Sequence, residues 1–246
     1  MTNIKERTDT KEKTPRNRMV KSPKALLAIA KAEALGDACF SYILTRIAPG
    51  VSEKALAAEI EKFLTDNGSE GLAFPTICVS GVSTNEPHGV PSDKTVETGD
   101  LVVLDFGARI DGYCGDMTRT VAVGRASSVQ KNVYGIVLRA QEASIAALRD
   151  GARCDFVDRA ARGIIEESGF GDYYVHGTGH GVGKHVHENP RINAKNTHVL
   201  LENMPVTVEP GIYIPEKFGV RIEDLLIVTK FGSVNLTKSE KKLIVL

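Results

Sequence analysis

Five side chains stand out because of what surrounds them. Asp105 ends the apolar run Leu101-Val102-Val103-Leu104, and Asp116 follows Asp111-Gly112-Tyr113-Cys114-Gly115. Either Asp alone reads as a turn or capping residue, since Asp beside Gly is ordinary turn chemistry, but a hairpin brings the two together. Glu209, in Val206-Thr207-Val208-Glu209-Pro210, and Glu223, in Val220-Arg221-Ile222-Glu223-Asp224, sit inside strand-like apolar runs. A charge there must be paired or must hold a cation. A salt bridge from Arg221 to Glu223 is the structural alternative, because strand alternation puts the two on one face. Four of the six histidines, His176, His180, His185 and His187, cluster in the glycine-rich stretch that ends at Glu188. Such clustering invites a metal, where one or two histidines would read as solvent-facing groups on a flexible glycine loop. The glycines do not form a nucleotide loop, for there is no GKS or GKT and no strand-turn-helix unit with an acidic residue downstream.

Taken together, Asp105, Asp116, His180, Glu209 and Glu223 are four carboxylates and one imidazole, too much negative charge for one divalent ion. Two ions balance it. Oxygen-rich ligation favours Mn²⁺ or Mg²⁺, the imidazole admits Co²⁺, Fe²⁺ or Zn²⁺, and the lack of thiolate argues against a structural zinc site.

The elements that must position these groups follow from the rest of the 246 residues. Hydrophobic content of 42% with 25% charged residues is that of a globular protein able to bury a large core. Thirty-one basic and 31 acidic residues cancel, so no global field draws nucleic acid or an anionic membrane. The cysteines, Cys39, Cys78, Cys114 and Cys154, form no CxxC pair, and no apolar stretch resembles a signal peptide or a membrane span, so a reduced cytoplasmic protein is expected. Residues 1–18 are basic and nearly devoid of aliphatic side chains, which predicts a flexible polar tail.

Ser22-Pro23 is an N-cap followed by a proline at the first helical position, predicting a helix to Ile47 before Pro49-Gly50. Ser52 starts a second helix that stops at Asn67-Gly68. Strands are predicted at Ile77 to Val79, at Leu101 to Leu104, and from Tyr113 to Val123 after an Asp111-Gly112 turn. Helices then recur around Val129 to Leu148 and Phe156 to Ser168. Further strands are predicted at Val206 to Glu209, Gly211 to Ile214 and Val220 to Val228. The order helix, helix, strands occurs twice.

The order Asp, Asp, His, Glu, Glu in these contexts resembles the pita-bread metallopeptidases: methionine aminopeptidases, Xaa-Pro aminopeptidases and Xaa-Pro dipeptidases. LDFGARIDGYCGDMTRT, HGTGHGVG with HVHE, VEPGIYI and GVRIED carry the likeness in the family's order, from about Val20 to the carboxyl end. The resemblance implies an α+β fold of two pseudo-symmetric α-α-β-β halves around a curved antiparallel sheet, with residues 19–246 as one catalytic domain. It also implies that Asp105, Asp116, His180, Glu209 and Glu223 are the metal ligands, Asp116 and Glu223 bridging two ions. Glu209 would in addition carry a proton to the leaving nitrogen, and His187 and His88 would stabilise charge developing on the substrate.

His176, four residues before His180, and Arg221, two before Glu223, resemble the substrate-side groups of the proline-handling enzymes. Methionine aminopeptidases usually carry other residues there. The implied activity is thus a metal-dependent aminopeptidase cleaving Xaa-Pro bonds of peptides with a free amino terminus, with Mn or Co favoured and Fe or Zn accommodated. A methionine aminopeptidase, whose typical length the chain shares, is the alternative. A catalytically inactive peptide-binding module of the same fold is another, which the intact acidic set disfavours. Xaa-Pro enzymes normally begin with a separate amino-terminal domain, whereas here the catalytic domain is expected to start almost at once, which leaves a homodimer open. No nucleic-acid or membrane partner is expected.

Overall fold

The computed structural model describes residues 16–246. Most of the predicted polar tail therefore lies outside the described residues, and Arg16–Met19 form a short helical turn, α1. Ser22 caps α2 (Pro23–Ile43) by accepting from the Ala25 N–H, and Ser52 caps α3 (Glu53–Asp66) by accepting from Ala55. Each hydroxyl satisfies one of the backbone donors a helix start leaves unpaired. Gly68, at a φ of 97°, carries the chain out of α3 in a conformation that favours glycine.

The first half continues through β1 (Ile77–Ser80), β2 (Leu101–Phe106), the short hairpin β3 (Arg109–Ile110) and β4 (Tyr113–Cys114), and β5 (Met117–Ala122). Asp111 and Gly112, at φ of 50° and 74°, turn the hairpin, as a two-residue loop with both centres left-handed should. β1, β2 and β5 form an antiparallel sheet. Val102, Leu104 and Phe106 face α2 and α3, where they pack with Phe40, Ile43, Leu56, Ile60 and Leu64. Strand alternation then aims Asp105 away from the helices.

The second half repeats the order. Ser127 and Gln130 close a capping box on α4 (Ser128–Ala147), and α5 (Cys154–Glu167) follows. Its main sheet runs β12 (Gly232–Asn235), β11 (Asp224–Thr229), β8 (Pro205–Val208), β6 (Gly179–Gly181), β7 (Glu188–Ile192), all neighbours antiparallel. β9 (Gly211–Ile214) and β10 (Phe218–Arg221) make a separate ribbon. The two main sheets meet at one bridge, Thr118 with Glu223. No helix among the described residues is long and apolar enough to cross a membrane.

Helix α2 ends at Ile43 rather than at Ile47, and three further stretches differ from the sequence expectation. The run Tyr113 to Val123 is broken at Gly115-Asp116, because α2 passes so close that a Cβ on Gly115 would lie 2.9 Å from the Ala32 carbonyl carbon. Val220 to Val228 is broken at Ile222-Glu223, where the Glu223 N–H leaves its own ribbon and donates to Thr118 O. The glycine-rich stretch contains a central strand. A Cβ on Gly179 would stand 2.0 Å from Thr207 O, and one on Gly181 2.3 Å from Asn189 O. These glycines permit close strand packing rather than motion.

Candidate active site

Each candidate side chain arrives from a different piece of the frame. Asp105 lies on the helix-averted face of β2, and Asp116 and Glu223 occupy the two strand breaks. His180 is the centre of β6, and Glu209 follows β8 on the same face as Thr207. The ligand-capable atoms of Asp116, His180 and Glu223 all lie within 4.8 Å of one another. Glu209 Oε1 is 3.3 Å from His180 Nε2, and Asp116 Oδ2 is 3.5 Å from the same nitrogen. Asp105 lines the same cavity, of about 870 Å³, with one oxygen 2.6 Å from Arg221 Nη2.

Burial governs the charge state of this cluster. Together with Glu223, Asp105 and Glu209, it pushes the Asp116 carboxyl well above the usual range. Glu223 is raised in the same way, with Glu209 and Asp105 adding to its burial. Burial lifts Glu209 to about 7 against the pull of Arg221. His180 is held down to about 3 by burial and by His187, so its ring is neutral and its contacts with Asp116 and Glu209 are not ion pairs. Its Nδ1 lies 3.1 Å from Gly181 O. The hydrogen therefore sits on Nδ1, and the Nε2 lone pair faces carboxylate lone pairs.

Lone pairs facing lone pairs in a buried space are unfavourable unless a proton or a cation lies between them. Asp105 Oδ1 and Glu223 Oε1 are likewise buried without a partner. Five donors, two orphaned oxygens and a histidine whose other nitrogen is tied to a backbone carbonyl fit one or two divalent cations.

The substrate-side candidates surround this cluster. His187 stacks edge-on against His180, ring centroids 4.5 Å apart, and His88 and His176 line the same cavity. Burial lowers His176 to about 4. His185 is exposed and outside the cavity lining. Arg221 does not pair with Glu223 as the alternation rule suggested. It grips Asp105, Tyr213 OH at 2.8 Å, Pro87 O at 3.1 Å and, through Nε, Thr118 Oγ1 at 3.1 Å. The rule fails because the strand ends between Arg221 and Glu223, so the two no longer share one pleat.

Several participants were not anticipated. Tyr213 OH joins His176 Nε2 at 2.8 Å to the Arg221 guanidinium. Thr118 donates to Glu223 Oε2 at 2.6 Å. Asp158, buried on α5, accepts from Thr178 N and Oγ1 and pairs with Arg162, fixing the segment between His176 and His180. Tyr213 stands in the VEPGIYI motif and could have been found there. Thr118 likewise stands in LDFGARIDGYCGDMTRT, whereas Asp158 with Arg162 reads locally as an ordinary helix ion pair and only the fold brings Thr178 to it.

Metallopeptidase family M24 matches residues 28–230 of the chain. A protein of Pyrococcus horikoshii named Xaa-Pro dipeptidase is 45% identical over 227 residues, covering 92% of this chain and 65% of that protein. Among solved structures, an Xaa-Pro dipeptidase from Bacillus anthracis superimposes with a TM-score of 0.92 at 45% identity, over 94% of this chain and 65% of the other. An X-Pro aminopeptidase from Thermotoga maritima gives 0.91 at 40%, with 94% and 65% covered. The chain thus spans about 65% of the length of these relatives. With the family match over most of its residues and the paired α-α-β-β halves described above, the chain belongs to metallopeptidase family M24 and has the pita-bread fold.

Proposed function

We propose that the chain is a two-metal exopeptidase that hydrolyses Xaa-Pro bonds next to a free amino terminus. Asp105, Asp116, His180, Glu209 and Glu223 would hold the ions in this reading. The observation that carries it is the convergence of Asp116, His180, Glu209 and Glu223 in the cavity that Asp105 also lines, with Asp105 Oδ1 and Glu223 Oε1 left unpartnered. Two divalent ions supply a water of lowered pKa and polarise the scissile carbonyl.

The protein's own groups do the rest. Glu209, on the cavity wall 3.3 Å from His180, is placed to take a proton from the attacking water and pass it to the leaving nitrogen. His187 and His88, at the cavity wall, face the carbonyl oxygen as negative charge develops on it. The Arg221 guanidinium holds Asp105 in one orientation and, with Tyr213 and His176, forms a polar rail beside the bond to be cut. An Xaa-Pro bond has no amide hydrogen to donate, so its recognition must rest on ring shape and on groups that hold the carbonyl and the chain beyond it.

Relatives named dipeptidase favour a second reading, in which the substrate is Xaa-Pro alone. A comparison of kcat/KM for Ala-Pro, Ala-Pro-Ala and Met-Ala-Ala after Mn²⁺ or Co²⁺ loading separates the readings. Ala-Pro-Ala should be cleaved best, and preference for Ala-Pro replaces the aminopeptidase with a dipeptidase. A better Met-Ala-Ala rate replaces both with a methionine aminopeptidase.

A further inference from the structure

Glu33 is a carboxylate in the middle of α2, only 1% exposed, and the mechanism above does not use it. Burial raises its carboxyl to about 8 against the pull of the Thr237 hydroxyl and the Asp116 N–H, and the charged groups that act on it, Asp37 and Asp224, are both acidic. What holds it is a pair of hydrogen bonds reaching into the two halves of the molecule. Oε2 accepts from the Asp116 N–H at 2.9 Å, and Oε1 accepts from Thr237 Oγ1 at 2.6 Å. Thr237 Oγ1 in turn accepts from the Leu225 N–H at 2.9 Å. Since the Thr237 hydroxyl spends its one proton on Glu33, the direction of the relay is determined: Leu225 to Thr237 to Glu33, and Asp116 to Glu33.

This relay connects the two strand breaks. Asp116 lies at the first, and Leu225, the second residue of β11, comes two residues after Glu223 at the second. Helix α2 can reach both because Gly115 has no Cβ to strike its Ala32 and Glu33 backbone. We propose that Glu33 is a positioning residue that sets the separation of Asp116 and Glu223, and through it the geometry in which the divalent ions are held. The inference rests on the ligand assignment made above.

An amide at this place keeps the shape but not the function. Its single oxygen can serve Asp116 or Thr237, and its NH₂ then faces a donor or forces the Thr237 hydroxyl to turn away. The carboxylate is the one group of this size that accepts at both ends.

The test is calorimetric titration of Mn²⁺ into chelator-stripped wild-type protein, Glu33→Gln and Asp116→Asn, with urea midpoints measured in EDTA. Glu33→Gln should keep its midpoint in EDTA while Mn²⁺ affinity falls about 10–100-fold, as outer-sphere partners of metal ligands typically require. Unchanged affinity in Glu33→Gln, with Asp116→Asn strongly weakened, overturns the positioning role and leaves the ligand reading standing. Unchanged affinity in Asp116→Asn overturns the ligand reading itself. Should Glu33→Gln fail to fold, Thr237→Val cuts the relay at its other end and leaves the Asp116 contact intact. A several-fold loss of Mn²⁺ affinity is then expected, and no loss overturns the proposal.

Discussion

Glu223 and Asp224 are adjacent and both buried, 1% and 0% exposed, yet they face opposite sides of the sheet into two different chemistries. Asp224 receives four donors across its two oxygens: Arg119 at 2.8 Å on Oδ1, and Lys241 at 2.9 Å, Gln141 at 2.9 Å and Asn235 at 2.7 Å on Oδ2. Burial raises its pKa, but Arg119 and Lys241 overcome that and hold the carboxyl below the usual range. Glu223 receives one hydroxyl, from Thr118, and keeps Oε1 bare. Burial, Glu209 and Asp105 push it the other way. One pocket is complete within the protein, and the other is short of positive charge. A buried carboxylate finished with cations and donors belongs to the architecture, whereas one left short marks where a cation and a reaction fit.

Three experiments would break or sharpen this contrast. The largest effect is expected on the deficient side: Glu209→Gln at full metal loading should lower kcat by ~10²–10⁴-fold, the range of a lost general base. Its urea midpoint in EDTA should stay the same or rise, because a repelling charge has been removed. Near-normal kcat would end the proton-transfer role of Glu209.

On the complete side, Arg119→Met should cost ~3–5 kcal/mol in urea denaturation, because it strands Asp224 as a buried charge. It also removes the guanidinium contacts to Thr118 O, Glu223 O and Ser239 O. A loss below ~1 kcal/mol would show that Lys241, Gln141 and Asn235 suffice without it.

The smallest effect is in pH dependence of the metal-free protein. Glu209 titrates at about 7 in the fold and at 4.5 unfolded, so the folded state keeps a proton that the unfolded chain releases between those values. The stability it contributes is complete below 4.5 and is lost as pH rises through about 7, at no more than ~1.4 kcal/mol per pH unit for one group. Asp116 and Glu223, also raised, add the same sign. Asp224 has the opposite sign, its contribution being present above 3.8 and lost as pH falls through its lower folded value. His176 and His180, lowered to about 4 and 3, resist protonation in the fold and oppose the acids below 6.5, so thermal melts in EDTA should decline as pH rises above about 6.5, and saturating Mn²⁺ should abolish the decline, since a bound cation replaces the protons. A flat profile in EDTA would mean that the cluster is less desolvated than its burial indicates.

Much of this was legible in the chain itself. Ser22-Pro23, Ser52 and Ser127 mark helix starts through local cap chemistry, and alternation in Leu101 to Phe106 already divides a core face from the face that carries Asp105. The acidic and imidazole groups were visible because charge inside apolar runs conflicts with burial. The strand breaks at Gly115-Asp116 and Ile222-Glu223 were not visible, for both residues leave their strands in answer to distant partners, α2 in one case and Thr118 in the other. Nor was the strand hidden in Gly179–Gly181, because glycine there reports a close neighbour rather than a turn.

By itself the sequence determined the main helices, the doubled order of elements and the groups competent to hold a metal, because caps, periodicity and side-chain chemistry act within a few residues. Tertiary structure alone decided which acid is served by which cation. Arg221 lies two residues from Glu223 and binds Asp105, while Arg119 crosses from β5 to neutralise Asp224. Electrostatic partnership depends on distance through space and on exclusion of water, and both are set only when strands from the two halves meet.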